Sequence, residues 1–172
     1  FDFQLDKPAN TLRIALLGDS VGYGYSVPFE ETFAMRLQQQ LGTRAQQQFG
    51  VNIELYNFSV SGYSTVAEAE LYRVKVRPYQ PDFVLLAYVL NDPMPASMVV
   101  MSVGAARKQA DQFAKLVAKS QLLGWASLQW QQFRQVHIQK QNYRDFYQGE
   151  LWQQSQQAIA QLAADTTADQ AP

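Results

Sequence analysis

Three short polar sets in this 172-residue sequence hold side chains that could do chemistry: Gly18-Asp19-Ser20, Ser61-Gly62 and Asn91-Asp92. There is no cysteine and one histidine, His137, so disulfides, thiolate metal sites and a cysteine nucleophile are excluded. Serine is then the candidate nucleophile, and its hydroxyl is a poor one until a base takes its proton, so it must project from a turn that a base can reach. Ser20 follows the apolar run Leu12-Arg13-Ile14-Ala15-Leu16-Leu17 directly. A strand-to-helix turn there would expose it. Each set also has a plainer reading, because Gly, Asn, Asp and Pro all favour turns and end strands.

The elements that must position these sets are legible from periodicity. Leu12 to Leu17 reads as a buried strand. Glu30, Glu31 and Thr32 open a helix with apolar residues at Phe33, Met35, Leu37 and Leu41 and with Gly42 as its stop. Val51, Ile53, Leu55 and Phe58 alternate with polar neighbours, as in a second strand that empties into Ser59-Val60-Ser61-Gly62. Ser64 or Thr65 caps a helix from Val66 to about Arg77, where Ala69, Leu71, Tyr72 and Val76 recur at helical spacing and Pro78 and Pro81 end it. Phe83 to Leu90 is a third strand. Strand, helix, strand, helix, strand with short links requires parallel pairing with the helices packed back on the sheet. The expected class is α/β, doubly wound, with all three polar sets at the carboxyl ends of the strands, where such sheets bind ligands. From Ala105 to Ala164 the chain turns rich in Gln, Lys, Arg and aromatic residues, broken only by Gly124 and Gly149, and reads as two or three helices. The runs Gln38 to Gln40 and Gln46 to Gln48 read as solvated helix faces.

Taken together, the sets resemble the SGNH, or GDSL, hydrolases, a family of esterases, lipases and carbohydrate deacetylases with a flavodoxin-like sheet. The matching residues are Gly18-Asp19-Ser20 after strand one, Gly62 within Asn57-Phe58-Ser59-Val60-Ser61-Gly62-Tyr63-Ser64-Thr65 after strand two, and Asn91-Asp92 after strand three, over roughly residues 8 to 95. Val89 stands where the family pattern has glycine two residues before the asparagine. The resemblance implies that Ser20 is the nucleophile and that the oxyanion is held by the Ser20 and Gly62 backbone N–H groups and the Asn91 side-chain amide. Such donors are commonly worth about 3 kcal/mol each to the transition state. Gly62 would let its backbone approach closely, and Asp19 would hold the turn by hydrogen bonds, without serving as the acid of a triad. Tyr23, Gly24 and Tyr25 could shape an acyl or sugar pocket but read more simply as packing and are assigned no role; the aromatic set Trp125, Trp130, Phe133, Tyr143, Phe146, Tyr147 and Trp152 could stack on glycans but reads as helical core or lid packing.

The resemblance also implies an Asp-x-x-His pair near the carboxyl end, after further strands, and the sequence has none. His137 lies within Arg134-Gln135-Val136-His137-Ile138-Gln139-Lys140 without an aspartate three residues before it, and is read as structural. We expect a single domain over residues 1–172, with an α/β part at 8–95 and a helical part at 105–164, incomplete at its carboxyl end. Three strands leave a parallel edge unpaired, which native proteins normally cover. The expected activity is a serine ester hydrolase working through an acyl-enzyme, with O-acetyl groups on a carbohydrate as first substrate. The alternatives are a glycan O-acetyltransferase of the same fold, or a binding or scaffold module without the base. No metal or cofactor is expected. Fourteen Lys and Arg nearly cancel fifteen Asp and Glu, so a nucleic-acid partner is not expected, and neither is a membrane segment. Phe1, with no charged and apolar leader after it, reads as a boundary or processed end, and an extracytoplasmic location is favoured.

Overall fold

The computed structural model describes residues 3–94 and 145–171. Strand β1 (Thr11–Gly18) leads into a one-turn helix α1 (Ser20–Tyr23), a 3-10 turn (Phe29–Glu31) and helix α2 (Phe33–Phe49). Strand β2 (Asn52–Asn57) precedes helix α3 (Thr65–Leu71), which widens into a π turn (Tyr72–Val76) and tightens into a 3-10 turn (Arg77–Tyr79). Strand β3 (Phe83–Ala87) and a last helix, α4 (Glu150–Ala168), complete the described elements. The sheet has the order β2-β1-β3 with both pairings parallel, Ile14 lying between Leu55 and Phe83.

Alternation along the central strand sorts the core into two layers. Ile14 and Leu16 meet Ala34 and Leu55 under α2, whereas Ala15 and Leu17 meet Phe58, Ala69, Tyr72, Val76 and Leu162 under α3 and α4. Helices therefore cover both faces, as the doubly wound pattern requires. Leu16 and Leu17 are 1% and 0% exposed, and burial of each contributes on the order of 2 kcal/mol, which makes β1 the spine that carries Ser20.

Arg13, inside the same apolar run, is fully buried without being unpaired. Its five N–H groups reach the Glu54 carboxylate and the Leu5, Asp6 and Tyr79 carbonyls, and its guanidinium lies 4.7 Å over the Tyr56 ring. A buried charge persists only when every donor is met in this way. Asp82 adds register at the same end, accepting from Arg13 N–H at 2.7 Å as its own N–H returns to the Arg13 carbonyl.

Three expected boundaries moved. Gly42 does not stop α2, because the space beside it is open and a glycine inside a helix costs only about 1 kcal/mol; the helix runs on to Gly50, whose φ of +65° forms the cap. The strand expected over 83–90 ends at Ala87, since Val89 and Asp92 close a turn through paired hydrogen bonds. The last helix continues past 164 to Ala168, held on the π and 3-10 turns that follow α3 by Arg73 with Asp165, Arg77 with Asp169, and Tyr72 Oη donating to Asp169 at 3.0 Å. The Gln46 to Gln48 run lies within α2, and Gly149 directly precedes α4. His137, Gly124, Trp125, Trp130, Phe133 and Tyr143 lie outside the described residues. Among the described residues β3 pairs on one side only, and Phe83 and Leu85 are exposed beside it. No described helix is long and apolar enough to cross a membrane.

Candidate functional site

Asp19 follows the last residue of β1 and caps α1. Its Oδ1 accepts the Val21 N–H at 2.8 Å, which satisfies a helix donor left without an internal partner. Its Oδ2 accepts from Asn91 Nδ2 at 2.9 Å and lies 3.4 Å from Ser20 Oγ. A carboxylate only accepts, so the Asn91 amide is fixed with its nitrogen toward Asp19. That nitrogen keeps one further hydrogen to present. Asp19 is 1% exposed, while Ser20 and Asn91 stay partly open to solvent.

The three loops are tied to one another by backbone as well. Val60 N–H donates to the Gly18 carbonyl at 2.9 Å, fastening the second loop to the first, and Thr65 N–H donates to the Asp92 carbonyl at 3.2 Å, fastening the third loop to the start of α3. Asn57 Nδ2 donates to the Gly22 carbonyl at 2.8 Å, so the end of β2 holds α1 from behind. A Cβ at Gly22 would stand 2.5 Å from Ser59 Oγ, a distance no side chain tolerates. Gly62 has a φ of +85°, the left-handed region that penalises any residue with a Cβ.

Of the residues singled out in the sequence, Gly18, Asp19, Ser20 and Asn91 come together, and Gly62 lies on the same rim, joined to them through Val60. No histidine is among the described residues, so they offer no imidazole base to Ser20; the carboxylate of Asp19, 3.4 Å from its Oγ, is already engaged by Val21 and Asn91. Nor could any group of three His, Cys, Asp or Glu among them hold a metal ion.

Sequence reading missed the acid behind this rim. Glu68 is fully buried in α3 with neither carboxyl oxygen hydrogen-bonded, and Asp92, 1% exposed, has an unpartnered Oδ1 while its Oδ2 accepts the Val89 N–H at 2.8 Å. Burial, with Asp92 and then Asp19 nearby, pushes the Glu68 carboxyl up to about 8. Burial also raises Asp92 to about 6, against the lowering effect of the Val89 hydrogen bond. At neutral pH Glu68 is therefore mostly protonated and Asp92 mostly ionised. A signal was present: Glu68 lies four residues before the core residue Tyr72, on the buried side of the helix.

No protein-family model matches the chain, and no curated protein matches it by sequence. Among solved structures it is similar to TesA, with a TM-score of 0.53 and 15% identity over 92% of this chain and 56% of TesA. It is also similar to AlinE4, an SGNH-hydrolase family esterase, with a TM-score of 0.42 and 24% identity over 51% of this chain and 45% of AlinE4. The chain thus spans about half the length of either. At 15% identity the likeness to TesA is one of fold alone.

Proposed function

We propose that the chain carries the nucleophile and oxyanion half of a serine ester hydrolase. The supporting observation is the Asp19 carboxylate, which caps the helix bearing Ser20 and at the same time orients the Asn91 amide. In this reading a base removes the Ser20 proton as Oγ attacks the ester carbonyl. The negative charge on the carbonyl oxygen falls to the Ser20 and Gly62 N–H groups and Asn91 Nδ2. Collapse expels the alcohol, which takes the proton from the base and leaves an acyl-serine; water, activated by the same base, then releases the acid. A glycan O-acetyltransferase would differ only at that last step, with a sugar hydroxyl in place of water.

The sequence contains no Asp-x-x-His, so the reading requires polypeptide outside these 172 residues to supply the base. The same polypeptide could complete the single domain by pairing with β3, where Phe83 and Leu85 are exposed. The 172-residue chain alone is then expected to be inactive. An O-acetylated carbohydrate remains the substrate suggested by the resemblance.

The test is covalent labelling of the full-length protein with a fluorophosphonate, followed by peptide mass mapping. A single adduct on Ser20, absent from Ser20→Ala, is the expected result. Absence of any adduct, together with equal hydrolysis of nitrophenyl acetate by the two proteins, would leave the binding or scaffold reading in its place. Acyl transfer to an added oligosaccharide would identify the transferase.

A further inference from the structure

A mainly apolar cavity of about 440 Å³ lies between α2, the end of β2 and the segment that joins α1 to α2. Its walls include Val27, Ala34, Met35 and Leu55, and one side is formed by Tyr23 and Gly24, the last residue and the cap of α1. Ser20 opens that helix, so the wall stands about one helical turn, roughly 5 Å, from the proposed nucleophile. Polar groups occur at both ends of it: on the α2 side Thr32 and Gln38 line it with the Thr32 hydroxyl and Gln38 Oε1 already hydrogen-bonded to backbone. Asn57 and Ser59 line it where β2 ends, and both touch Gly22 of α1: Asn57 through its hydrogen bond to the Gly22 carbonyl, Ser59 through the close approach of its hydroxyl. Ser59 Oγ is buried and has no hydrogen-bond partner. The aliphatic lining belongs to α2, the preceding segment and the inner face of β2.

Resting on the serine hydrolase reading, but replacing the acetyl group that the resemblance suggests, we propose that this cavity receives the acyl chain of the substrate, and that the enzyme prefers esters of medium-length acyl groups, about six to ten carbons, over acetyl esters. An acyl chain is apolar, and the larger part of the lining, Val27, Ala34, Met35 and Leu55 among it, is apolar too. An acetyl group, with one methyl beyond the carbonyl, would leave nearly all of the 440 Å³ empty and would gain nothing from Val27, Met35 or Leu55. Each methylene moved from water into an apolar site is worth about 0.8 kcal/mol, so a cavity used this way must show itself as a dependence on chain length. Tyr23 and Val27 are 56% and 45% exposed, placing apolar surface where a chain would enter.

The test compares kcat/KM of the full-length protein for nitrophenyl acetate, butyrate, octanoate and dodecanoate, with Val27→Trp as the variant that fills the cavity from its exposed side. Wild type is expected to favour octanoate over acetate by at least tenfold. Val27→Trp is expected to lose at least tenfold on octanoate while staying within about twofold on acetate. Ser20-dependent cleavage of acetate with no gain on octanoate, or an equal loss on all chain lengths in Val27→Trp, overturns the acyl-chain assignment and leaves the hydrolase reading standing. Binding of octanoate to Ser20→Ala, followed by calorimetry, reads the cavity without turnover: binding that the added Val27→Trp change abolishes supports the assignment, and no binding overturns it. If no ester is cleaved by wild type, it is the hydrolase reading that fails.

Discussion

Ser20→Ala in the full-length protein is expected to lower kcat for ester hydrolysis by about 10⁴-fold or more with KM little changed, and Asn91→Ala by about 10²- to 10³-fold. The first change removes the only atom in the proposed mechanism that can carry the acyl group, so whatever rate survives must come from water attacking a bound ester. The second leaves the nucleophile and removes one of three proposed oxyanion donors, whose contact is made in the transition state and only weakly with the ground-state carbonyl. Its loss should therefore appear in kcat and not in KM. Asp19 links the two. Asp19→Asn keeps the size of the side chain but gives it hydrogens of its own, so the contact that fixes the Asn91 amide at 2.9 Å is lost or reversed. The expected kcat of Asp19→Asn is close to that of Asn91→Ala, and the double variant should be little worse than either single one, because residues that act as a unit are not additive. Steady-state kinetics on nitrophenyl esters measures all four proteins. A rise in KM alone for Asn91→Ala, or full additivity in the double variant, would remove Asn91 from the oxyanion role or Asp19 from its support.

Whatever depended on local pattern could be read from the sequence; whatever depended on partners far along the chain could not. Leu12 to Leu17 and Phe83 to Ala87 are short apolar runs between turn residues, which is enough to mark them as strands, and the three-strand parallel sheet follows from the helices between them; that Phe83 and Leu85 are exposed is not legible from the run. The contact of Asp19 with Asn91 spans 72 positions, and nothing local to either residue announces it, although the resemblance placed both on one rim. The true ends of two helices were hidden for opposite reasons. Gly42 looks like a stop but meets only solvent, and the polar tail after Ala164 looks like a loop but finds Arg73 and Arg77 on a neighbouring segment. For Tyr23 and Gly24 the sequence leaves packing and a pocket both open, because their part in a cavity exists only once α1, α2 and β2 come together. Arg13 shows the converse, a charge inside a strand whose burial is paid for by five acceptor contacts from residues as distant as Tyr79.

Glu68→Gln is expected to raise the thermal stability of the protein most at pH 8 and above and by much less near pH 5. In the folded state the Glu68 carboxyl titrates at about 8, against an ordinary value of 4.5. The unfolded chain therefore releases this proton at a pH where the folded chain still holds it. Between those two values folding takes up a proton, and this one group lowers stability by as much as about 1.4 kcal/mol for each pH unit gained. Below 4.5 both states are protonated and nothing is lost; above 8 both are ionised and the full loss has been incurred. The cause is geometric: a fully buried carboxyl with no hydrogen-bond donor, facing Asp92 and Asp19, neither of which can stabilise a second negative charge. Glutamine has the same shape and no charge, so its stability should follow a flatter course against pH, while Glu68→Ala should lose stability at every pH through the cavity it leaves. Melting curves of the three proteins from pH 5 to 9 make the comparison. Parallel profiles for wild type and Glu68→Gln would mean that the carboxyl is ionised in the folded protein and has a cationic or donor partner. The consequence reaches the site, because Asp92, which Glu68 faces, holds the Val89 N–H and through its carbonyl the Thr65 N–H. A charge appearing on Glu68 above pH 8 strains the turn that presents Asn91, and catalysis by the full-length protein should decline there in wild type before it does in Glu68→Gln.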